Sequence, residues 1–210
     1  MERVCLQAAD FLVAPSHYIV KETERHFVIL HKNVAVIPNP YEPQAPQPEK
    51  SYQQKTEIVF YGKLTVQKGA LALLAYFNDL WEAGFAETLV MIGGQDIVYH
   101  PEGVTMGDFI RNKYQRYIDR GLLKLEDRIA PNKINSRLSK AKVVIIPSAN
   151  DNLPYVVFEM MGMGNVVLVS KQGGHAEVVQ HGVDGFIFDH FTEGDLELLL
   201  KNVLASTNDQ

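Results

Sequence analysis

Two carboxylates, Asp151 and Glu159, lie in the stretch PSANDNLPYVVFEMMGMG, residues 147–164. Asp151 precedes a predicted helix start, where free backbone N–H groups can bind the same ligand. Glu159 falls among Val, Phe and Met side chains, and burying a lone carboxylate is costly unless donors meet it. The diol of a sugar or ribose supplies two such donors. The alternatives are a helix cap for Asp151 and a surface acid or internal salt bridge for Glu159.

A second group of candidate residues lies in the segment FYGKLTVQKGA, residues 60–70. Gly62 permits a tight turn after a β-rich run, Lys63 follows it, and Lys68 opens the next predicted helix. A lysine at a helix N-terminus opposes the helix dipole, and this cost is offset if an anion binds there. The alternative is two solvated lysines. The segment is neither a Walker A loop nor a GxGxxG fingerprint.

A third loop contains Gly173 and Gly174, which follow a predicted strand and allow the backbone to approach a ligand closely. Turn formation alone explains these glycines equally well. Glu177 is predicted to be a first-turn acid that complements the dipole of a helix over 174–182. The sequence gives no catalytic pairing to the histidines His100, His175, His181 and His190.

A parallel sheet would bring these three loops together. Continuous apolar runs such as EIVFYG, TLVMIGG and VVIIPS are typical of strands buried on both faces, and they alternate with helical segments. We predict an α/β fold with a doubly wound, Rossmann-like parallel sheet of about six strands after residue 56. Ligands of such sheets bind beyond the carboxyl ends of the strands, where all three loops lie.

The element boundaries are predicted from periodicity and capping signals. Asn152 is placed near the cap of the helix after Asp151, with Pro154 in its first turn, and Thr105 and Asp108 have capping-box-like spacing. Residues 41–56, rich in Pro and Gln, are predicted to be a linker before a domain over 57–210. Helices are predicted over 67–84, 105–121, 133–141, 174–182 and 193–206, and a short strand over 125–130.

Composition excludes several classes of protein. The net charge of −5 argues against a surface that grips nucleic acid, and no apolar run reaches the length of about 18 residues that suggests a membrane span. Cys5 is the single cysteine, and the N-terminus lacks signal-peptide features, so we expect a soluble cytoplasmic protein. Lys113, Arg116 and Arg120 share one helix face, for which solvation is favoured over contact with an anionic acceptor or a membrane.

The order and spacing of these segments resemble the C-terminal donor-binding domain of a GT-B glycosyltransferase. The similarity is greatest to family four, the retaining enzymes that use nucleotide sugars. It rests on YGKL…KGA, then MIGG, then KAKVVIIPSANDNLPYVVFEMMGMGNVVLVSKQGGHAEVV, with the family's acid–seven–acid motif on Asp151 and Glu159. AADFLVAPS…VAVIPNP resembles the end of the N-terminal acceptor domain and the crossover, so residues 1–40 are assigned to that tail.

The resemblance implies one half of a GT-B fold that transfers a sugar from a UDP-, GDP- or ADP-sugar to a glycan or glycoconjugate. Lys63 and Lys68 would stabilise the leaving diphosphate, Asp151 would accept from sugar hydroxyls and Glu159 from the ribose. No cofactor is implied, and because no His, Cys or acid cluster has metal spacing we expect a metal-independent site. The implied donor-binding residues are Gly62, Lys63, Lys68, Asp151, Asn152, Leu153, Tyr155, Val156 and Glu159, with the base beside Ile129 and Ala130.

The sequence departs from the family pattern at three positions: Lys63 stands where Arg is usual, Asp151 where Glu is usual, and Pro154 where Gly is common. Pro154 removes one backbone donor. Only a tail of the acceptor domain is present, so we expect a fragment of a longer enzyme. A non-catalytic module that binds a nucleotide sugar or a partner is an alternative, and a sugar-nucleotide epimerase is another. An upstream domain of about 150–200 residues would favour the transferase.

Overall fold

The computed structural model describes residues 2–27, 33–42 and 55–206, so most of the predicted linker lies outside the described residues. The helices of the described part are α1 (Glu2–Ala8), α2 (His17–His26), α3 (Ala70–Glu82), α4 (Met106–Asp119), α5 (Ile134–Leu138), α6 (Tyr155–Gly162) and α7 (Asp195–Ser206). Its strands are β1 (Phe11–Ala14), β2 (Asn33–Val36), β3 (Glu57–Tyr61), β4 (Leu89–Ile92), β5 (Val98–Tyr99), β6 (Val104–Thr105), β7 (Leu123–Glu126), β8 (Ala141–Ile146), β9 (Val166–Ser170) and β10 (Phe186–Phe188).

The main sheet has six strands in the order β10-β9-β8-β3-β4-β7, and every neighbouring pair is parallel. Its central strands are largely apolar, with exceptions such as Glu57 at the start of β3 and Lys142 in β8, because helices cover both faces. The α3, α4 and α7 helices pack on one face, and α5 and α6 pack on the other. This confirms the predicted doubly wound α/β fold.

Two small sheets accompany the main one. The parallel pair β1–β2 is formed by residues that precede the predicted linker, with α2 connecting the two strands. The antiparallel pair β5–β6 follows β4 and was not predicted, because strands of two residues are too short to show alternation.

Gly69 sets the start of α3 and brings it close to the end of β8. Its φ is +77°, and a Cβ there would lie 1.9 Å from the carbonyl oxygen of Pro147. The left-handed conformation interrupts the predicted helix over 67–84, so α3 begins at Ala70. Lys68 is thereby placed beside the loop that follows β8. By contrast, α4 begins as predicted, because the Thr105 hydroxyl accepts from the Asp108 N–H at 3.1 Å.

Four other boundary predictions are wrong. The helix over 174–182 is only a 3-10 turn, Gly174–Glu177, because the N–H of Gly174 donates to the Asp151 carbonyl of another loop. The strand predicted over 125–130 is Leu123–Glu126, paired with β4, and α5 is shorter than the helix predicted over 133–141.

The start of α6 also differs from the prediction. Pro154 itself is the N-cap of α6 in an extended conformation, and the Asn152 side chain contacts Ser16 instead of capping the helix.

Candidate active site

A cavity of about 510 Å³ opens at the carboxyl ends of β3, β4, β7 and β8. This is the edge where the sequence predicted a ligand site. The residues lining it are Phe60, Tyr61, Gly62, Lys63, Lys68, Gly93, Gly94, Arg128, Ile129, Ile146, Pro147, Ser148, Asp151, Pro154, Tyr155 and Val156. Three of them are cations and one is an acid, so the wall favours an anionic ligand.

Gly62 and Gly93 line this cavity where the loops after β3 and β4 come into close contact. A Cβ on Gly93 would lie 1.7 Å from the Gly62 carbonyl oxygen, and Gly93 has a φ of +156° that other residues rarely adopt. The N–H of Gly62 donates to the Ile92 carbonyl at 2.9 Å. The loops after β3 and β4 therefore touch backbone to backbone, and a side chain at Gly93 would not fit between them.

Asp151 and Lys68 form an ion pair at one end of the cavity, with 2.5 Å between Lys68 Nζ and Asp151 Oδ2. The Asp151 carboxylate also accepts from Ser148 Oγ at 3.1 Å and from the Asn152 N–H at 3.0 Å. Its side chain is 12% exposed, whereas that of Lys68 is 34% exposed. The carboxylate is thus fixed by three donors, and it does not cap α6.

Lys63 and Arg128 supply the other two cationic side chains of the cavity. Within the described ranges, Lys63 forms no ion pair with a carboxylate, so its charge is available to a ligand. Arg128 Nη2 lies 2.5 Å from Asp96 Oδ1, and both side chains are largely exposed. The hydrogen bond from Arg128 is the largest cause of a lowered pKa at Asp96, and the charge of Lys63 adds to it.

Arg128 was missed by the sequence interpretation, which named only Ile129 and Ala130 in this loop. Its position at the carboxyl end of a predicted strand was the available signal. Gly94 makes room for it, since a Cβ on Gly94 would lie 2.6 Å from Arg128 Nε. Of the two residues that were named, Ile129 lines the cavity and Ala130 does not.

Glu159 lies on α6 and does not line the cavity. It is half-buried, and burial raises the pKa of its carboxyl group. Burial also raises the pKa of Tyr41 and Tyr61, and the Glu159 charge contributes at both. Tyr61 lines the cavity, so Glu159 lies near enough to one wall residue of the cavity for its charge to act on that residue. No cation within 4.0 Å and no hydrogen-bond donor meets the Glu159 carboxylate in the described part of the chain, so an internal salt bridge has no partner there.

The remaining predicted donor-binding residues divide into two groups. Tyr155 and Val156, the first residues of α6, line the cavity. Asn152 and Leu153 instead face the N-terminal segment: the Asn152 carbonyl accepts from Ser16 Oγ at 3.0 Å, and the Leu153 carbonyl accepts from Asn39 Nδ2 at 3.1 Å.

The basic face of α4 has internal partners. Arg116 Nη2 lies 2.7 Å from Glu82 Oε1, and Arg120 lies over the Tyr117 ring. Lys113 lies 5.6 Å from the centroid of the Phe109 ring. No helix among residues 2–27, 33–42 and 55–206 is long and apolar enough to cross a membrane.

Comparison with known protein families identifies the class of protein that has this site. The sequence pattern of the family described as "Glycosyl transferases group 1" matches residues 42–210. The chain belongs to this family. The matched range includes β3 to α7 and every residue that lines the cavity.

Curated relatives of this glycosyltransferase-family chain are longer than it is. An alpha-maltose-1-phosphate synthase of Mycolicibacterium smegmatis is 26% identical over 221 residues, covering 99% of this chain but 55% of the relative. An uncharacterized glycosyltransferase of Methanocaldococcus jannaschii is 30% identical over 130 residues, covering 61% of this chain and 30% of the relative. The chain therefore spans about half or less of these relatives.

Solved glycosyltransferase structures share the fold. A sucrose-phosphate synthase from Thermosynechococcus elongatus superposes with a TM-score of 0.78 at 21% identity, over 99% of this chain and 52% of that one. HepE of Anabaena, solved in complex with UDP-glucose, gives a TM-score of 0.71 at 19% identity, over 99% of this chain and 60% of that one. The predicted GT-B relationship is confirmed.

Proposed function

We propose that this chain is the donor-binding part of a retaining, hexosyltransferase-type glycosyltransferase. It would bind a nucleoside-diphosphate sugar and direct transfer to an acceptor such as a glycan or glycoconjugate. The observation that supports this is the cavity at the carboxyl ends of β3, β4, β7 and β8, with Lys63, Lys68 and Arg128 around the single acid Asp151. The complex of the Anabaena relative with UDP-glucose supports a nucleotide sugar as the ligand class.

The cations of the cavity would act on the leaving diphosphate. When the bond between the anomeric carbon and the diphosphate oxygen breaks, the departing phosphate gains negative charge while the sugar acquires oxocarbenium character. Positioned ammonium groups stabilise such developing charge more in the transition state than in the ground state. Lys63 is unpaired with carboxylates among the described residues, and Lys68 keeps two donor protons beyond the one directed at Asp151.

Asp151 would accept hydrogen bonds from the hydroxyl groups of the donor sugar. Ser148, Lys68 and the Asn152 N–H hold its carboxylate before any ligand arrives, which reduces the ordering cost of binding. One carboxylate can accept about four hydrogen bonds, so it retains capacity for a sugar hydroxyl.

The nucleoside would occupy the other end of the site. Glu159 would accept from the ribose diol beside Tyr61, the base would lie against Ile129, and the N–H groups of Tyr155 and Val156 would face the sugar or phosphate. The missing partner for the Glu159 carboxylate in the described residues supports a ligand role for this group, because a half-buried charge gains stability from added donors.

Titration calorimetry tests the proposal with UDP, GDP and ADP, each alone and as its glucose conjugate. We expect one of the three nucleotides to bind, and the exposed lysine variant Lys124→Ala to bind it as the wild type does. Absence of binding for all six compounds would refute a donor site.

Sugar transfer is expected to require more protein than this sequence contains. The chain spans about half of its glycosyltransferase relatives or less. We propose that the acceptor binds to a further domain, so the 210-residue chain should bind donor with little transfer to an added acceptor. Robust transfer by this chain alone would contradict that division of labour, but not the donor site.

A further inference from the structure

The loop that carries Asp151 contacts the N-terminal segment of the chain. Ser16, only 2% exposed, donates from its hydroxyl to the Asn152 carbonyl at 3.0 Å. The same hydroxyl accepts from the Ile19 N–H at 3.3 Å, which makes Ser16 the N-cap of α2. One side chain therefore joins the first turn of α2 to the residue that follows Asp151.

Glu177 makes a second connection to the same helix. Its Oε2 accepts from the His17 N–H at 2.9 Å and its Oε1 accepts from the Tyr18 N–H at 2.5 Å. The prediction that Glu177 complements its own helix is therefore wrong, because this carboxylate caps α2 from a distance of 160 residues along the chain. A carboxylate at a helix N-terminus is favoured by both the hydrogen bonds and the dipole.

Gly174 completes the junction between these elements. Its N–H donates to the Asp151 carbonyl at 2.9 Å. A Cβ on Gly174 would lie 1.6 Å from the Asn152 carbonyl oxygen and 2.6 Å from Ser16 Oγ, so only glycine fits where the three segments meet. The Asp151 loop is thus held between the turn Gly174–Glu177 on one side and α2 on the other.

We propose that Ser16 and Glu177 are positioning residues for the donor site. Through α2 they fix the loop 150–154 so that the Asp151 carboxylate faces the cavity. The helix lies at His17–His26, ahead of residue 42 where the family match begins, so a segment outside that match shapes the donor site. The expected change in nucleotide-sugar affinity rests on the proposed function, whereas the expected loosening of the loop 150–154 does not.

The test compares Ser16→Ala and Glu177→Gln with wild type and with Glu24→Gln, which removes an exposed carboxylate from the same helix. Calorimetry measures affinity for UDP, GDP and ADP and for their glucose conjugates. Asp151 is assigned to the sugar, so Ser16→Ala and Glu177→Gln should each lower the affinity for the glucose conjugate about tenfold, the effect of weakening one charge-assisted hydrogen bond. The affinity for the nucleotide alone should fall less than about threefold. Glu24→Gln should match wild type.

Hydrogen exchange without ligand gives a second measurement. Amide exchange in residues 148–158 should accelerate in both variants, while the strands of the main sheet exchange as in wild type. Unchanged exchange in this segment would overturn the inference even if nucleotides bind. Equal losses of affinity for the nucleotide and its glucose conjugate, together with faster exchange throughout the domain, would also overturn it. If wild type binds no nucleotide, the proposed function fails, and the exchange result alone decides the positioning role.

Discussion

Lys68 Nζ lies 2.5 Å from Asp151 Oδ2 and thereby links the start of α3 to the loop after β8. The two residues are 83 positions apart in the chain, and the glycine beside Lys68 allows the approach. The pair joins the group proposed for the diphosphate to the group proposed for the sugar. Replacing Lys68 should therefore weaken the binding of both the diphosphate and the sugar.

The first prediction concerns the two lysines. Lys63→Ala and Lys68→Ala should each weaken nucleoside-diphosphate binding by about 1.5–3 kcal/mol, the range for hydrogen bonds to charged groups. Binding of the bare nucleoside should barely change. Lys68→Ala should also reduce the affinity for the sugar conjugate by more than the affinity for the nucleoside diphosphate, because Asp151 loses its ion-pair partner. Lys63→Ala should reduce both affinities equally. Calorimetry measures the affinities for the bare nucleoside, the nucleoside diphosphate and the sugar conjugate, with Lys124→Ala as the matched control. Wild-type diphosphate affinity in both lysine variants would mean that these side chains are merely solvated.

Glu159→Gln separates a ligand role from a structural one. The substitution keeps the shape but replaces a charged acceptor, so nucleotide affinity should fall by about 1.5–3 kcal/mol. Stability should change in the opposite direction at neutral pH. Because burial raises the pKa of Glu159, ionising it costs the folded state stability as pH rises above the ordinary value of 4.5. The variant should therefore be more stable than wild type at pH 7, and the difference should vanish below pH 4.5.

Thermal melting and calorimetry on this one variant give both quantities. A lower melting temperature with unchanged nucleotide affinity would show that Glu159 has a structural partner. That result would refute the ribose assignment and leave the assignments of Lys63 and Lys68 unaffected.

Much of this fold was predictable because the signals are local or periodic. Continuous apolar runs identified five of the six parallel strands, β7 was expected a few residues too late, and the Thr105–Asp108 spacing identified the start of α4. The edge-of-sheet rule placed Gly62, Lys63 and Asp151 at one cavity. The failures at the site involve partners distant in sequence, whereas the missed pair β5–β6 was too short to show a pattern. Glu177 looked like a local cap, yet its partners are the backbone groups of residues 17 and 18, which no local pattern reveals.

Donor binding should survive an excess of EDTA. The cavity wall already provides Lys63, Lys68 and Arg128 for the diphosphate charge, so we expect a metal-independent site. Calorimetry with and without the chelator measures the effect, and a mock-treated sample controls for ionic strength, which screens these charges. A large loss of affinity that added Mg²⁺ restores would contradict this prediction.

Arg137 should stabilise the main sheet, because it links the start of β3 to the end of β7. It lies 2.5 Å from Glu57 and 2.6 Å from Glu126, and it is the largest cause of the lowered pKa of Glu126. After allowance for partial solvent exposure, Arg137→Met should cost about 1–3 kcal/mol of unfolding free energy at pH 7. A depressed carboxyl pKa stabilises above the ordinary value of 4.5, so this cost should shrink as pH falls below 4.5.

Urea unfolding at pH 7 and pH 3.5 measures the contribution of Arg137. Arg25→Met, which removes an exposed arginine paired within α2, is the control and should leave stability unchanged. A cost for Arg137→Met that persists undiminished at pH 3.5 would show that packing, not the carboxylates, is responsible.

His175 should make the domain sensitive to mild acid. Its ring is fully buried, Nε2 lies 3.0 Å from Ser170 Oγ, and burial lowers its pKa to about 4 despite the opposing charge of Asp151. Between pH 6.5 and pH 4 the unfolded chain binds a proton that the folded chain refuses, so stability is complete above 6.5 and falls by about 3 kcal/mol towards pH 4. Urea unfolding across this window should show that loss in wild type and in the exposed control His100→Gln, and a smaller slope in His175→Gln. Equal slopes in all three proteins would mean that His175 is charged in the folded state.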